Sequence, residues 1–289
     1  MTLGLAPLSA GQVQRIGRLL GDAAYRVAVK RRQMALTNLD LAFGDSKTAR
    51  EKHAIVRASF RQLATSALEC LWASHDPGQR VPRLIEGPPD GLSDLKRCLE
   101  RGKGVFFLTA HYGNWEIMGL NHGLLGLAPL HSIARKLDNP WIERRAMAFR
   151  TVTGNAIFHR EDSPLKIVRA LKRNDCVAVM MDQNTALGGV FVDFFGRAAA
   201  TPRSLALLSH RIEAAILPLF CHPTGKGTYR IQYGPELVLE KSGNREADIL
   251  NGTQACCRFI ESVIRQRPDF WMWGHRRWKT RPPGEPGIY

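Results

Sequence analysis

A histidine and a glutamate lie five residues apart where an apolar run gives way to a helical pattern. The run Val105 to Ala110 is compact and apolar, as in a strand that is buried on both faces, and His111 follows it directly. Glu116 lies in the first turns of the next helix, so its carboxylate can turn back towards the imidazole. A carboxylate bonded to one ring nitrogen fixes the tautomer and leaves the other nitrogen free to take a proton from a hydroxyl. The pair therefore suits general-base catalysis.

The spacing of this pair is not informative by itself. With nine histidines and 26 acidic residues in 289, about 0.8 pairs of this spacing are expected by chance. The position at the end of a strand and the start of a helix carries more information, because ligands bind past the carboxyl ends of strands in open α/β sheets. In the alternative interpretation, His111 is a structural residue held by a carboxylate that caps the helix.

The rest of the chain predicts the scaffold for this position. Apolar runs alternate with helical patterns, near residues 105–110, 132–134, 156–158, 176–181 and 216–221. Such alternation predicts an α/β fold with a single, mainly parallel sheet flanked by helices. We assign residues 91–289 to this α/β domain and residues 1–90 to an N-terminal helical extension. A helix opened at Thr201 and a strand pair near residues 229–239 complete the predicted elements.

The N-terminal extension is expected to contain two amphipathic helices. The first covers Leu8–Lys30 and the second runs from Ser46 to Ala73, capped by Asp45 and Ser46, before a proline-rich loop at residues 75–90. The first helix combines an apolar stripe with several arginines, as in helices that lie on an anionic bilayer. The same stripe could instead pack against the rest of the protein, and the sequence leaves both interpretations open.

The charge balance indicates an anionic partner. Lysine and arginine number 41 against 26 acidic residues, for a formal net charge of +15. An anionic membrane surface, an acidic substrate and nucleic acid all fit such an excess, but no common nucleic-acid recognition motif is present, so nucleic acid is not expected. A non-enzymatic basic protein that binds nucleic acid or membranes remains an alternative. No metal site is expected, because neither an HExxH motif nor a CxxC pair occurs.

Further polar residues follow the predicted strands and are candidates for substrate binding. Asp182 and Gln183 follow a buried strand and are expected to face the same crevice as His111, and Arg135 follows another strand. Arg197 and Arg203 flank a hairpin that leads into a helix, whose terminus could bind phosphate or an oxyanion. Asn114 flanks the histidine itself. Each of these residues also has a purely structural interpretation, in capping, loop hydrogen bonding or solvation.

Four further segments accompany the stretch from His111 to Glu116. They are Asn38-Leu39-Asp40-Leu41-Ala42-Phe43, Asp182-Gln183-Asn184, Val192-Asp193-Phe194-Phe195-Gly196-Arg197 with Thr201-Pro202, and the segment Trp271 to Pro282. In this order the five motifs resemble those of the bacterial lipid A biosynthesis (late) acyltransferase family, and the segment from His111 to Glu116 resembles the HxxxxD/E motif of the lysophospholipid acyltransferase superfamily to which that family belongs. Together they span nearly the whole chain and are far more specific than any one motif.

The resemblance implies a glycerolipid acyltransferase-like fold and a reaction. The expected reaction moves an acyl group from an acyl carrier protein or coenzyme A thioester to a hydroxyl of a phosphorylated glycolipid, a lipid A precursor foremost. A different lysolipid or a phosphoinositide mannoside is the alternative acceptor. His111 and Glu116 inherit the catalytic roles, no cofactor is expected, and the expected location is the cytoplasmic face of the bacterial inner membrane. Members usually begin with a hydrophobic membrane-spanning helix, whereas the matching helix here is charged.

Overall fold

A mainly parallel sheet forms the centre of the computed structural model, which describes residues 4–159 and 164–289. In that part of the chain the sheet has six strands in the order β3-β2-β4-β1-β7-β8. All neighbouring pairs are parallel except β7 and β8, which form an antiparallel pair at one edge. Strands β5 and β6 form a separate antiparallel hairpin. The predicted α/β fold with N-terminal helices is confirmed.

The elements follow one another in a regular alternation after an all-helical start. The helices are α1 (Ala10–Val27), α2 (Val29–Phe43), α3 (Ala49–Ala73), α4 (Pro77–Leu84), α5 (Leu92–Leu99), α6 (Trp115–Leu125), α7 (Pro140–Thr151), α8 (Pro164–Lys172), α9 (Ser204–Ile212) and α10 (Arg245–Gln266). The strands are β1 (Val105–Thr109), β2 (Leu130–Ala134), β3 (Ala156–His159), β4 (Cys176–Met180), β5 (Gly189–Phe194), β6 (Arg197–Pro202), β7 (Ala215–Pro223) and β8 (Tyr229–Tyr233).

The sheet separates two apolar cores, because successive side chains of a strand point to opposite faces. Phe106 and Leu108 of β1 belong to one core, whereas Val105 and Phe107 belong to the other. The first core includes α2, the β5–β6 hairpin, α10 and the C-terminal tryptophans, and the second includes α3 to α6 and β8. Strand β1 is therefore buried on both faces, as its sequence predicts, and the residue that follows it is held rigidly.

Helices α1 and α3 pack against each other through glycines. A Cβ atom at Gly17 would lie 2.6 Å from the Cα of Thr65, and one at Gly21 would lie 2.4 Å from the Cα of Arg61. Asp22 adds ion pairs with Arg57 and Arg61 of α3. The contact buries the glycine face of α1 and leaves its apolar stripe exposed, with Leu19 69% and Val27 79% accessible. Only the start of the stripe packs on the rest of the protein, through the fully buried Val13, whereas Ile16, Leu20 and Val27 are exposed.

Several local predictions were wrong, for identifiable reasons. Helix α3 begins after Thr48, which forms a capping box with Glu51, and not at Ser46. The proline-rich segment contains helix α4, because Asp76 caps it and Pro77 occupies its first turn. Thr201 does not cap a helix, since it belongs to β6 and accepts a hydrogen bond from Arg277.

No helix among residues 4–159 and 164–289 combines the length and the apolar character needed to cross a bilayer. The boundary at residue 90 between the helical extension and the α/β domain stays a prediction.

Candidate active site

The register of two neighbouring strands brings His111 and Asp182 together. Strands β1 and β4 are parallel, with Thr109 opposite Met180. Two residues further along each strand are His111 and Asp182, so both leave the sheet at the same edge. The Nδ1 atom of His111 lies 2.9 Å from Oδ1 of Asp182, and the His111 amide donates to Oδ2 at 2.9 Å. One carboxylate therefore holds both the backbone and the ring of the histidine.

Asp182 is buried and ionised. Its side chain is only 2% exposed, and Trp271 Nε1 donates to Oδ2 at 2.8 Å. Burial opposes ionisation, but the positive charge of His111 in its protonated form and the hydrogen bonds from His111 and Trp271 outweigh it and hold the pKa of Asp182 at about 2. The carboxylate thus accepts three hydrogen bonds and keeps its negative charge beside the imidazole.

This arrangement fixes the tautomer of His111. In the neutral ring Nδ1 must carry the hydrogen, because a carboxylate can only accept, so the lone pair is on Nε2. Nε2 lies 3.4 Å from the side-chain nitrogen of Gln183. The ring contacts Trp115 edge to face, with centroids 5.1 Å apart, and the side chain remains 19% exposed. A basic nitrogen is therefore presented to the space outside the sheet.

The loop that carries His111 is clamped from three sides. Gly113 has a φ of +60°, and a Cβ atom there would lie 1.8 Å from the carbonyl oxygen of Cys221 in β7, so only glycine fits. Its amide donates to the carbonyl of Phe270, and its carbonyl accepts from Ser66 of α3. The amide of Met272 donates to the carbonyl of His111. The loop is thus held by β7, by α3 and by the C-terminal segment.

Glu116 does not bond His111, contrary to the sequence prediction. Its carboxylate accepts from Arg150 of α7, with Nε 3.1 Å from Oε1 and 2.9 Å from Oε2, and forms a further contact with Nη2. The helix α6 begins at Trp115, and Asn114 rather than Glu116 caps it. Glu116 therefore faces α7 across the entrance of the site, whereas Asp182 takes the partner position on His111.

A cavity of about 510 Å³ lies over this edge of the sheet. Its polar lining includes His111, Glu116, Arg135, Arg150 and Gln183. Apolar side chains from β2, β3, β4, α6 and α8 form much of the remaining wall, among them Leu120, Leu130, Ile133, Phe158, Ile167 and Met180. A concave apolar site with a few convergent polar groups is typical of a binding pocket for an organic ligand.

The other predicted binding residues divide into two groups. Arg135 and Gln183 line the cavity, and Arg203 lies between the lining residues Pro202 and Ser204 without lining it. Asn114 is fully buried. Its side-chain oxygen accepts from the amide of Ile117 and its side-chain nitrogen donates to Glu69, so neither group is available to a ligand. Arg197 donates to the carbonyl of Leu41, away from the cavity.

Asp182 was predicted as a binding residue, but it is too deeply buried to contact a substrate and orients His111 instead. The sequence did contain part of this signal, since the aspartate follows a buried strand as the histidine does. The sequence did not show that β1 and β4 are neighbours, because they are about 70 residues apart in the chain and come together only in the sheet.

Two residues of the C-terminal motif, Arg277 and Trp278, have structural roles that the sequence did not indicate. Arg277 is fully buried, donates to the carbonyl of Ala200 and to Thr201, and lies over the ring of Phe194 at 4.8 Å. Trp278 is also fully buried and donates to the carbonyl of Phe194. In isolation, Arg277 and Trp278 resemble part of a patch that binds a membrane or nucleic acid. In the structure they hold the β5–β6 hairpin next to Trp271 and Asp182.

Comparison with known proteins shows similarity to bacterial acyltransferases along most of the chain. The bacterial lipid A biosynthesis acyltransferase family matches residues 1–280. The lipid A biosynthesis palmitoleoyltransferase of Escherichia coli K12 is 28% identical over 281 residues, which cover 95% of this chain and 87% of that protein. The lauroyltransferase of the same strain is 27% identical over 283 residues, covering 96% and 88%. A phosphatidylinositol mannoside acyltransferase of Mycolicibacterium smegmatis is 26% identical over 195 residues, covering 65% and 60%.

The family match and the site occupy the same residues. The matched region contains His111, Glu116 and Asp182, together with the buried Trp271 that donates to Asp182. Because the match extends over nearly the entire chain, the enzyme class is that of the acyltransferases, and a non-enzymatic binding protein is excluded. The chain belongs to the bacterial lipid A biosynthesis acyltransferase family.

Proposed function

We propose that the protein transfers a fatty acyl group from an acyl carrier protein or coenzyme A thioester to a hydroxyl of a phosphorylated glycolipid, a lipid A precursor. The observation that carries this proposal is the fixed tautomer of His111, whose Nε2 faces the cavity while buried Asp182 holds Nδ1 at 2.9 Å. A base of this kind activates a hydroxyl, and a thioester needs no further activation of the acyl group. The names of the Escherichia coli relatives support the lipid A acceptor.

In the proposed reaction, Nε2 of His111 takes the proton of the acceptor hydroxyl as its oxygen attacks the thioester carbonyl. The charge of Asp182 stabilises the imidazolium that forms. The tetrahedral intermediate then collapses, the carbon–sulfur bond breaks, and the imidazolium returns the proton to the departing thiolate. The products are an ester and the free thiol of the carrier, so the enzyme ends the cycle unchanged.

In this proposal Glu116 positions Arg150 and does not orient His111. It holds Arg150 through a bidentate interaction at the cavity, and Arg135 lines the same space. Guanidinium groups placed in this way bind phosphate or stabilise an oxyanion. Glu116 thus acts on catalysis by placing Arg150, whereas Arg203, beside Pro202 and Ser204, adds positive charge near the rim.

We further propose that the protein works against an anionic membrane at the cytoplasmic face of the bacterial inner membrane. The exposed apolar stripe of α1 and the arginines on the same helix support this location, since such helices lie in the interface of anionic bilayers. The lipid acceptor then stays in the bilayer while the thioester carrier approaches from the solvent.

A mass-spectrometric acyl-transfer assay tests the proposal. Acyl carrier protein and coenzyme A thioesters are offered with lipid A precursors, lysophospholipids and phosphoinositide mannosides, to wild type and to His111→Ala. We expect one acyl mass to be added to a lipid A precursor by the wild type and not by the variant. Because one relative is a phosphatidylinositol mannoside acyltransferase, acylation of the mannoside alone would reassign the acceptor and keep the chemistry. No product from folded wild type would contradict the proposal.

A further inference from the structure

A second hollow opens beside the reaction cavity, between α3 and α7. It encloses about 800 Å³ and is mainly apolar, lined by Leu63, Ala67 and Leu71 of α3 and by Trp141, Ile142 and Phe149 of α7. We call it the α3–α7 groove. Its volume falls in the range of pockets that hold organic ligands, and an apolar groove of this size holds hydrocarbon.

The α3–α7 groove is joined to the reaction cavity by shared residues. Trp115, Glu116 and Arg150 line both spaces. The ion pair between Glu116 and Arg150 therefore forms the boundary between them, next to the ring of His111, which contacts Trp115. A molecule with its chain in the groove would place its polar end at the reacting nitrogen.

The charges around the α3–α7 groove fit a phosphorylated lipid. Arg145 lines the groove with its guanidinium 4.1 Å from the centre of the Trp141 ring, and Arg150 closes the inner end. Arg144 is exposed on the same helix. Arginines beside an apolar groove bind anionic groups attached to hydrocarbon, because the charge meets the phosphate while the groove takes the chain.

The rim of the α3–α7 groove is open to a bilayer. Trp141 is 53% and Leu63 43% exposed, and Ile142 and Leu71 are exposed as well. Helix α3, which forms one wall, packs on α1, whose apolar stripe is also exposed. A lipid that remains in the membrane can enter such a groove sideways, whereas the chain of a thioester on a soluble carrier arrives from the solvent.

We infer that the α3–α7 groove holds a hydrocarbon chain of the phosphorylated lipid acceptor, with the acyl chain of the donor in the cavity over the sheet. This inference rests on the proposed function for the identity of the reaction. It assigns the two substrates to the two sides of the Glu116–Arg150 pair. The acceptor hydroxyl then meets the thioester beside Nε2 of His111.

Filling the α3–α7 groove tests the assignment kinetically. Ala67→Trp and Ala146→Trp each introduce an indole from one wall. We expect the KM for the lipid acceptor to rise about tenfold or more in both, since blocking ground-state binding acts on KM. The KM for the donor and its preferred chain length should stay unchanged. Ala54→Trp is the control, because Ala54 is exposed on α3 and lines neither space.

Two kinetic outcomes would overturn the inference. A shift of the donor preference to shorter chains, with an unchanged acceptor KM, would assign the groove to the donor chain. Unchanged constants for both substrates, in variants that unfold at the wild-type temperature, would exclude the groove as a lipid site. If one tryptophan variant fails to fold, the other carries the test from the opposite wall.

Photolabelling separates this inference from the proposed function because it requires no turnover. A lipid A precursor with a diazirine in its acyl chain is bound to wild-type protein in detergent, irradiated and mapped by peptide mass spectrometry. We expect label on residues 63–73 of α3 and 141–151 of α7, competed by unlabelled precursor. Label there without any acyl transfer would contradict the proposed function alone. Acyl transfer with label only on the walls of the cavity over the sheet would overturn the inference.

Discussion

At the scale of single residues, His111 and Asp182 form one unit that the chain assembles from two distant segments. Replacing His111 by alanine removes the proposed base while leaving Asp182 bonded to Trp271 and to the backbone of residue 111. We expect acyl transfer to fall by about 10²–10⁴-fold or more, the usual contribution of general acid–base catalysis. Product formation by mass spectrometry, with thermal unfolding as the control, measures this. Substantial turnover by the folded variant would remove the base assignment.

Asp182→Asn distinguishes an orienting carboxylate from a merely structural one. The three groups facing Asp182 are all donors, namely the His111 amide, His111 Nδ1 and Trp271 Nε1. The amide of asparagine must therefore oppose a donor or force the histidine into the other tautomer. We expect a loss of about 10²-fold or more in kcat, with a changed pH–rate profile and little change in KM. A profile that keeps its shape would contradict the proposed role.

The lowered pKa of Asp182 also sets where its contribution to stability is lost. Because the pKa is about 2 in the folded protein and higher when unfolded, the ionised group stabilises the fold above the unfolded value. That stabilisation disappears as the pH falls towards 2. An acidic limb of the rate profile near neutral pH therefore cannot come from Asp182. The stability difference between wild type and Asp182→Asn should therefore shrink as the pH falls from about 4 towards 2.

Glu116 and Arg150 should behave as a pair. We expect Glu116→Ala to cause a large but incomplete loss of transfer, about 10²–10³-fold, because Arg150 then loses its partner at the boundary of the cavity. Arg150→Ala should cost a similar factor, and the double variant little more than either, since residues that act as a unit are not additive. An unchanged rate in Glu116→Ala would leave Glu116 with a structural role only.

At the scale of elements, the contact of α1 with α3 connects the N-terminal helix to the loop that carries His111. Gln14 of α1 donates to buried Glu69 of α3 at 2.8 Å, and Asn114 at the end of that loop donates to the same carboxylate at 2.8 Å. The contact depends on glycines that let the backbones approach. Displacing α1 should therefore disturb both stability and the loop.

We expect Gly21→Leu to destabilise the protein by about 1–3 kcal/mol or more, the cost of overpacking a close contact. A Cβ atom at position 21 would lie 2.4 Å from backbone of α3, which cannot move aside as a side chain would. Gly11→Leu is the matched control in the same helix, because nothing lies within 4 Å of its Cβ position. Urea midpoints compare the two. Equal midpoints would contradict the close contact of α1 and α3.

At the scale of the whole molecule, a buried histidine makes stability depend on pH. His122 is fully buried, with Nε2 3.1 Å from the carbonyl of Ala128 and Nδ1 2.8 Å from the hydroxyl of Tyr233. The carbonyl can only accept, so Nε2 carries the hydrogen and Nδ1 accepts from the tyrosine. Burial is the largest effect and lowers the pKa of His122 to about 4, so the ring is neutral in the folded protein.

We expect the stability provided by neutral His122 to be complete above pH 6.5, the unfolded pKa, and to be lost as the pH falls towards 4. The difference between the two pKa values corresponds to a change of about 3 kcal/mol in the free energy of unfolding. His122→Gln cannot titrate, so its urea midpoint should fall less between pH 6.5 and 4 than that of wild type. Parallel curves would show that His122 does not carry this pH dependence.

The sequence by itself determined the class of fold and the identity of the base candidate. Alternating apolar and helical patterns reflect local preferences, so the strands at residues 105–109 and 176–180 and the helices that follow Asn114 and Asn139 were recognisable. His111 was recognisable because the end of a buried strand is a local feature. The family motifs likewise depend on short segments that remain contiguous in the chain.

Only the tertiary structure decided which side chains meet. Glu116 is five residues from His111 in sequence, yet helix α6 turns it towards Arg150, whereas Asp182 reaches the imidazole because β4 lies beside β1 in the sheet. The burial of Arg277 and the groove between α3 and α7 have the same origin, since each depends on segments far apart in the chain. Local patterns fix the conformation of a segment, but contacts between segments depend on strand order and packing, which no single segment encodes.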